Sequence, residues 1–118
     1  MIPPWSLWSE ALNGMRDEVH ELAKSKGWHD DEPLSVDGIA AKLTLIHSEV
    51  SEALEEVRNG ETDRVVNGKP EGISYELADV LIRVLDLCGK LEVDIGHAVH
   101  RKHAFNMSRS HRHGGKKL

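Results

Sequence analysis

The sequence predicts an all-α fold, a four-helix, bundle-like domain, on three observations. Apolar residues recur at steps of three and four in four successive segments. No segment alternates in the way a half-buried strand would. Only five of the 118 residues are aromatic (three Trp, one Tyr, one Phe), so the core must come from Leu, Ile, Val and Ala, which suits packed helices. The length fits one domain spanning residues 1–118, with a flexible basic tail from about residue 107 to 118. A core of this size is modest, so completion by a second copy is expected.

The first helix is placed at Ser6–Lys26: Ser6 suits a cap, and Leu7, Ala11, Met15, Val19, Leu22 and Ala23 keep helical spacing up to Gly27. Trp28–Gly38 carries Asp30, Asp31, Pro33 and Gly38 and reads as a loop. The second helix is placed at Ile39–Asn59, with Ile39, Leu43, Ile46, Val50, Ala53, Leu54 and Val57 as its apolar stripe and Asn59-Gly60 as its stop. Glu61–Gly72 is a polar connector containing Asn67-Gly68 and Lys69-Pro70, suited to a turn. The third helix follows at Ile73–Gly89, with Ile73, Leu77, Val80, Leu81, Val84 and Cys88 on one side, and a fourth at Leu91–Phe105.

Composition narrows the function classes. Hydrophobic residues make up 39% and charged residues 30%, a soluble, globular balance. Met1–Trp8 lacks the basic, then apolar, character of a signal peptide, and no stretch approaches the ~18 apolar residues of a membrane span. The single cysteine, Cys88, excludes an intrachain disulfide and lies in an apolar run, where it reads as a small core residue. The expected compartment is therefore the cytoplasm. Through Asp94 the chain carries nine Lys and Arg against twenty Asp and Glu. The 24 residues beyond carry six Lys and Arg, no acid, and five of the eight histidines. An acidic body with a basic end suits cations on one part and an anion on the other.

The acids have a pattern. With Glu49 at zero, Glu52 lies at about −60° and Glu56 at about −20°, while the apolar stripe centres near +90°. Glu76 and Asp79 repeat the i, i+3 offset on the next helix. If the two apolar stripes pack together, the two acid ridges meet along one edge. Four carboxylates converging there would repel strongly without a counter-ion, and oxygen donors select Mg²⁺, Mn²⁺ or Ca²⁺ over zinc; the alternative is acids that simply decorate exposed helix faces.

Other residues carry weaker signals. Arg83 lies on the Glu76–Asp79 ridge and is expected to pair with Asp86, with substrate as the alternative. Trp28 suits a packing anchor, with base stacking as the alternative. Trp5 and Trp8 suit apolar cover or a subunit contact. His100 and His103 share i, i+3 spacing but lack the further ligands of a zinc site. The basic tail lacks the interleaved aromatics of a nucleic-acid binder, apart from Phe105.

Three segments carry a resemblance. HSEVSEALEEVRNG (His47–Gly60), ELADVLIRVLDL (Glu76–Leu87) and KHAFNMSRSHRHGGK (Lys102–Lys116), with weaker similarity through the first helix and GWHD (Gly27–Asp30), resemble the MazG-like all-alpha nucleoside triphosphate pyrophosphohydrolases. These are relatives of dimeric dUTPase and phosphoribosyl-ATP pyrophosphohydrolase. The resemblance implies a MazG-like helical fold and Mg²⁺, with Mn²⁺ as a substitute, held by Glu49, Glu52, Glu76 and Asp79. It implies phosphate and nucleotide contacts from Lys102, Asn106 and Arg109, with His113 and Lys116 near the substrate. It also implies cleavage of a (d)NTP between the α- and β-phosphates, and a homodimer or dimer of dimers with sites lined by more than one subunit.

A triphosphate beside four carboxylates calls for more than one Mg²⁺. Glu52 or Glu56 is the candidate to take the attacking water's proton, and the sequence leaves the choice open. The competing reading is a non-catalytic metal- or nucleotide-binding helical regulatory module.

Overall fold

A computed structural model describes residues 4–30 and 34–109. Its elements in chain order are α1 (Pro4–Ser25), α2 (Val36–Asn59), β1 (Arg64–Val66), β2 (Lys69–Glu71), α3 (Ile73–Lys90) and α4 (Ile95–Ser108). The chain is mostly helical, as the periodicity predicts, with one small sheet added. Proline at the first helical position costs no backbone hydrogen bond, which lets α1 begin at Pro4, ahead of the expected Ser6. The Trp28 N–H donates back to the Ala23 carbonyl at 3.0 Å and closes α1.

Helix α2 starts three residues before the expected Ile39. The Ser35 hydroxyl accepts from the Gly38 N–H at 3.0 Å, and this cap outweighs the poor helix propensity of Gly38. The predicted stop holds: Gly60 adopts φ 65° and caps the carbonyls of Glu56 and Val57.

The expectation of no strand is corrected. The connector folds into an antiparallel hairpin pairing Arg64 with Glu71, Val65 with Pro70 and Val66 with Lys69. Asn67 (φ 51°) and Gly68 (φ 81°) are both left-handed, the geometry of a two-residue hairpin turn. Asp63 accepts from the Ser74 N–H at 3.2 Å and ties the hairpin to the start of α3. Between them Gly72 stands at φ 124°, where a Cβ would lie 2.6 Å from the Asp63 Cα; no other residue fits.

Helix α4 starts at Ile95 rather than Leu91, because Glu92 turns left-handed (φ 55°) and Asp94 then caps the His97 N–H at 3.0 Å. It also runs three residues past the expected Phe105, into the start of the expected tail. Residues 110–118, including His113 and Lys116, lie outside the described residues.

Helix α3 is the centre of the arrangement. Both α1 and α2 pack on it, and α4 packs on α1. Burial from two sides explains why three consecutive residues, Leu85, Asp86 and Leu87, are all buried. The α1–α4 junction is polar. Asn13 donates to Asp94 at 2.9 Å and accepts from the Gly96 N–H at 3.0 Å, and Arg16 donates to the Val93 carbonyl at 2.7 Å. Cys88 is half-buried, and burial pushes its thiol pKa up, as suits a packing residue. Among the described residues no helix is long and apolar enough to cross a membrane.

Packing of α2 departs from expectation. The buried residues of α2 are Lys42, Glu49 and Ala53, of which only Ala53 belongs to the expected stripe, while Leu43, Val50 and Leu54 are about half exposed and Val57 is 63% exposed. Glu49 lies about 90° around the helix from the centre of that stripe. Glu49 therefore points into the α2–α3 contact, where it meets Arg83, and much of the apolar stripe is left uncovered beside it.

Candidate metal centre between α2 and α3

On α2, Glu49 is 8% exposed. Its Oε1 accepts from Arg83 Nε at 2.8 Å, whereas its Oε2 is buried without a hydrogen-bond partner. Across the contact, Glu76 Oε2 on α3 is equally buried and equally unpartnered. Ligand atoms of Glu49, Glu76 and Asp79 lie within 4.8 Å of one another. Glu52 joins them through a hydrogen bond to Glu76.

The electrostatics are those of crowded like charges. Burial raises the Glu76 carboxyl above its ordinary 4.5, reinforced by its hydrogen bond with Glu52 and by the charges of Glu52, Asp79 and Glu49. Burial and then Glu49 raise Asp79 above 3.8, with Arg83 and Lys69 pulling it back. Unpartnered oxygens and raised carboxyl pKa values are both relieved by a proton or by a cation among them. The donors are all oxygen, which suits a hard divalent ion and fits Mg²⁺ or Mn²⁺.

Glu56 is held differently. Arg64 Nη1 donates to its Oε2 at 3.0 Å and Arg64 Nη2 to Glu71 Oε2 at 3.3 Å, so the hairpin is latched to α2 through Glu56. Between the latch and the acids lies a cavity of ≈ 340 Å³, lined by Ser51, Glu52, Glu55 and Glu56 of α2, Lys69 and Glu71 of β2, and Glu76 of α3. Lys69 is the basic member of this lining. The sequence reading passed over it, although Asn67-Gly68 between two short runs was the signal for a hairpin that would place it there.

Arg83 corrects a prediction. It does not pair with Asp86: it holds Glu49 and lays its guanidinium over the Trp28 ring, 5.0 Å from the centroid. Asp86 is instead occupied by His20 and His29. The backbone at Trp28 is tied to α2, its carbonyl accepting from Lys42 Nζ at 2.8 Å, while the residue is 38% exposed. Beside its ring is an apolar cavity of ≈ 140 Å³ lined by Val19, Leu22, Ala23, Lys26 and Ile82.

The basic residues of α4 are not brought to the acids within one chain. Lys102 and Asn106 line a separate cavity of ≈ 330 Å³ with Ile95, Ala98, Val99 and His103. Lys102 and Arg109 both lie over Phe105, at 5.4 and 5.5 Å from its centroid. His100 and His103 pack edge-on against Trp8 at 6.2 and 6.3 Å, which gives them a packing role. Comparison of the chain with protein-family models, with curated proteins and with solved structures yields no match.

Proposed function

We propose that the chain is a Mg²⁺-dependent nucleotide pyrophosphohydrolase that converts a (d)NTP to (d)NMP and pyrophosphate. The observation that carries the metal site is the pair of buried, unpartnered oxygens on Glu49 and Glu76, residues whose ligand atoms lie with one of Asp79 within 4.8 Å of one another. The choice of substrate and bond rests on the MazG-like resemblance of the three segments quoted above.

Mg²⁺ bound there, with Mn²⁺ as a substitute, would offset the carboxylate charge, polarise phosphoryl oxygens and acidify a water. The chain's own residues divide the remaining work. Arg83 fixes Glu49 in its rotamer through one oxygen and leaves the other for the ion. Glu52 lines the open cavity and takes the proton of the attacking water. Glu56 is committed to Arg64, so the choice that the sequence leaves open falls on Glu52. The water oxygen forms a bond to the α-phosphorus, the bond from that phosphorus to the bridging oxygen breaks, and pyrophosphate departs with the electron pair. Lys69 lies at the cavity, where it meets the departing charge.

The uncovered stripe of Leu43, Val50, Leu54 and Val57 supports an assembly of two or four copies. In that assembly Lys102, Asn106 and Arg109, with His113 and Lys116, reach the acids from a neighbouring copy and hold the phosphates and nucleotide. Trp28, already stacked by Arg83, walls the site.

The test is to incubate purified protein and Mg²⁺ with a panel of normal and modified dNTPs and NTPs and to resolve the products. Monophosphate plus pyrophosphate is expected. Orthophosphate plus diphosphate overturns the bond assignment. No turnover of any nucleotide, with tight nucleotide binding, replaces the enzyme by a regulatory module.

A further inference from the structure

A second group of ligand-bearing side chains lies apart from the α2–α3 acids. His20 comes from α1, His29 from the segment after α1, and Asp86 from α3. His20 Nδ1 stands 2.8 Å from Asp86 Oδ1, and His29 Nε2 stands 2.8 and 3.0 Å from the two Asp86 oxygens. The carboxylate is 3% exposed, so these contacts are made out of water. The fold makes room for the group: a Cβ at Gly89 would lie 2.5 Å from the His20 Cβ, so His20 reaches Asp86 only past a glycine.

We propose that His20, His29 and Asp86 form a second metal site, for a divalent transition ion of the Zn²⁺, Co²⁺ or Ni²⁺ class. The donor set is two imidazole nitrogens and one carboxylate, which prefers these borderline ions to Mg²⁺. Their ligand atoms already lie within 4.8 Å of one another. Bonds of 2.0–2.1 Å in a tetrahedral shell set neighbouring donors roughly 3.3 Å apart, so the two 2.8 Å nitrogen–oxygen separations open by about half an ångström when an ion enters. Three protein donors leave a fourth position for water or another ligand.

The protons balance. Without an ion, Lys90 Nζ donates to His29 Nδ1 at 3.4 Å, so the His29 proton sits on Nε2 and is given to Asp86. His20 in turn gives its Nδ1 proton to Asp86. Ion binding places metal on His29 Nε2 and His20 Nδ1, and each ring moves its proton to its other nitrogen. Neither imidazole gains or loses a proton overall. The new His29 Nδ1–H then faces the Lys90 ammonium, which must turn away. Lys90 therefore opposes the ion, and its removal tightens binding.

The probe is Co²⁺ added to the full chain in excess Mg²⁺, which saturates the carboxylate cluster. Expected is one Co²⁺ per chain with the intense visible absorption of a four-coordinate nitrogen-containing site. The band should survive in Glu49→Gln and vanish in His29→Gln, and Lys90→Gln should tighten Co²⁺ roughly tenfold. A weak octahedral spectrum, or a band that survives His29→Gln, overturns the proposal, as does Lys90→Gln with unchanged or weaker binding. Should His29→Gln fail to fold, Zn²⁺ titration of the unaltered protein followed by histidine ring NMR decides. Shifts at His20 and His29 uphold the site. Shifts confined to His97, His100, His103, His111 and His113, or none, overturn it.

Discussion

Helix α3 contributes carboxylates to two clusters that handle charge in opposite ways. Glu76 and Asp79 meet further carboxylates, Glu49 and Glu52, and two buried oxygens there lack a hydrogen bond. Asp86, seven residues beyond Asp79, meets two imidazoles and has both oxygens engaged. The first arrangement costs stability when no cation is present, because like charges are crowded around the buried Glu49. The second stabilises the ion-free fold, because each donor has an acceptor. Charged side chains can thus be gathered so that they depend on a cation, or so that they are already paired without one, and hydrogen-bond satisfaction separates the two.

The largest effect that would sharpen this contrast is in the satisfied cluster. Asp86→Ala leaves two buried imidazoles without their acceptor and is expected to cost about 3 kcal/mol in urea unfolding. A loss near zero would break the contrast. Next comes Glu52→Gln, expected to lower turnover by about 10²-fold or more at saturating Mg²⁺ while leaving the fold intact; full turnover removes Glu52 from the mechanism.

The third prediction concerns pH. Glu76 and Asp79 hold protons more tightly folded than unfolded, so the stability they contribute is present below their ordinary 4.5 and 3.8 and is lost as pH rises through their raised folded values. In metal-free protein the urea midpoint should therefore carry a component that falls as pH rises above the ordinary carboxyl range. Glu76→Gln should flatten it and raise the midpoint at neutral pH, and saturating Mg²⁺ should erase it. A Glu76→Gln profile parallel to the parent would refute the crowding.

The smallest effect is Glu56→Gln. Because Glu56 latches Arg64 rather than facing the proton to be moved, turnover should stay within about fivefold of the parent. A loss matching that of Glu52→Gln would reverse the two roles.

Much of the helical order was legible because its punctuation is local. Gly60 and the Ser35 cap act through neighbouring backbone groups, although Gly38 hid how early α2 begins. The hairpin escaped notice because three-residue strands carry too little alternation, leaving Asn67-Gly68 as its one mark. Spacing exposed the paired acids but misjudged their facing. The helical wheel offered the whole apolar stripe as the contact face, and of that stripe Ala53 is buried, but Leu43, Val50 and Leu54 are about half exposed and Glu49 is buried instead. Hydrophobic periodicity says which face avoids water, not which neighbour covers it. Arg83 was assigned the partner nearest in sequence, Asp86, but histidines 66 and 57 residues away in the chain took that acid. Pairings set by tertiary structure leave no periodic trace.

The polar junction between α1 and α4 bears on how the chain is made. Asn13 finds Asp94 across 81 residues, and Arg16 finds Val93 across 77. At 5–20 residues per second of synthesis, α1 leaves the ribosome roughly 4–16 s before these partners exist. Helices α2 and α3 can meet through nearby sequence in that interval, whereas α1 cannot complete its contacts until Gly96 emerges. Helix α1 can dock on α3 once Asp86 is made, but its α4 side stays open until Gly96 follows, and a nascent chain stalled before Val93 would present that side to whatever else can bind it.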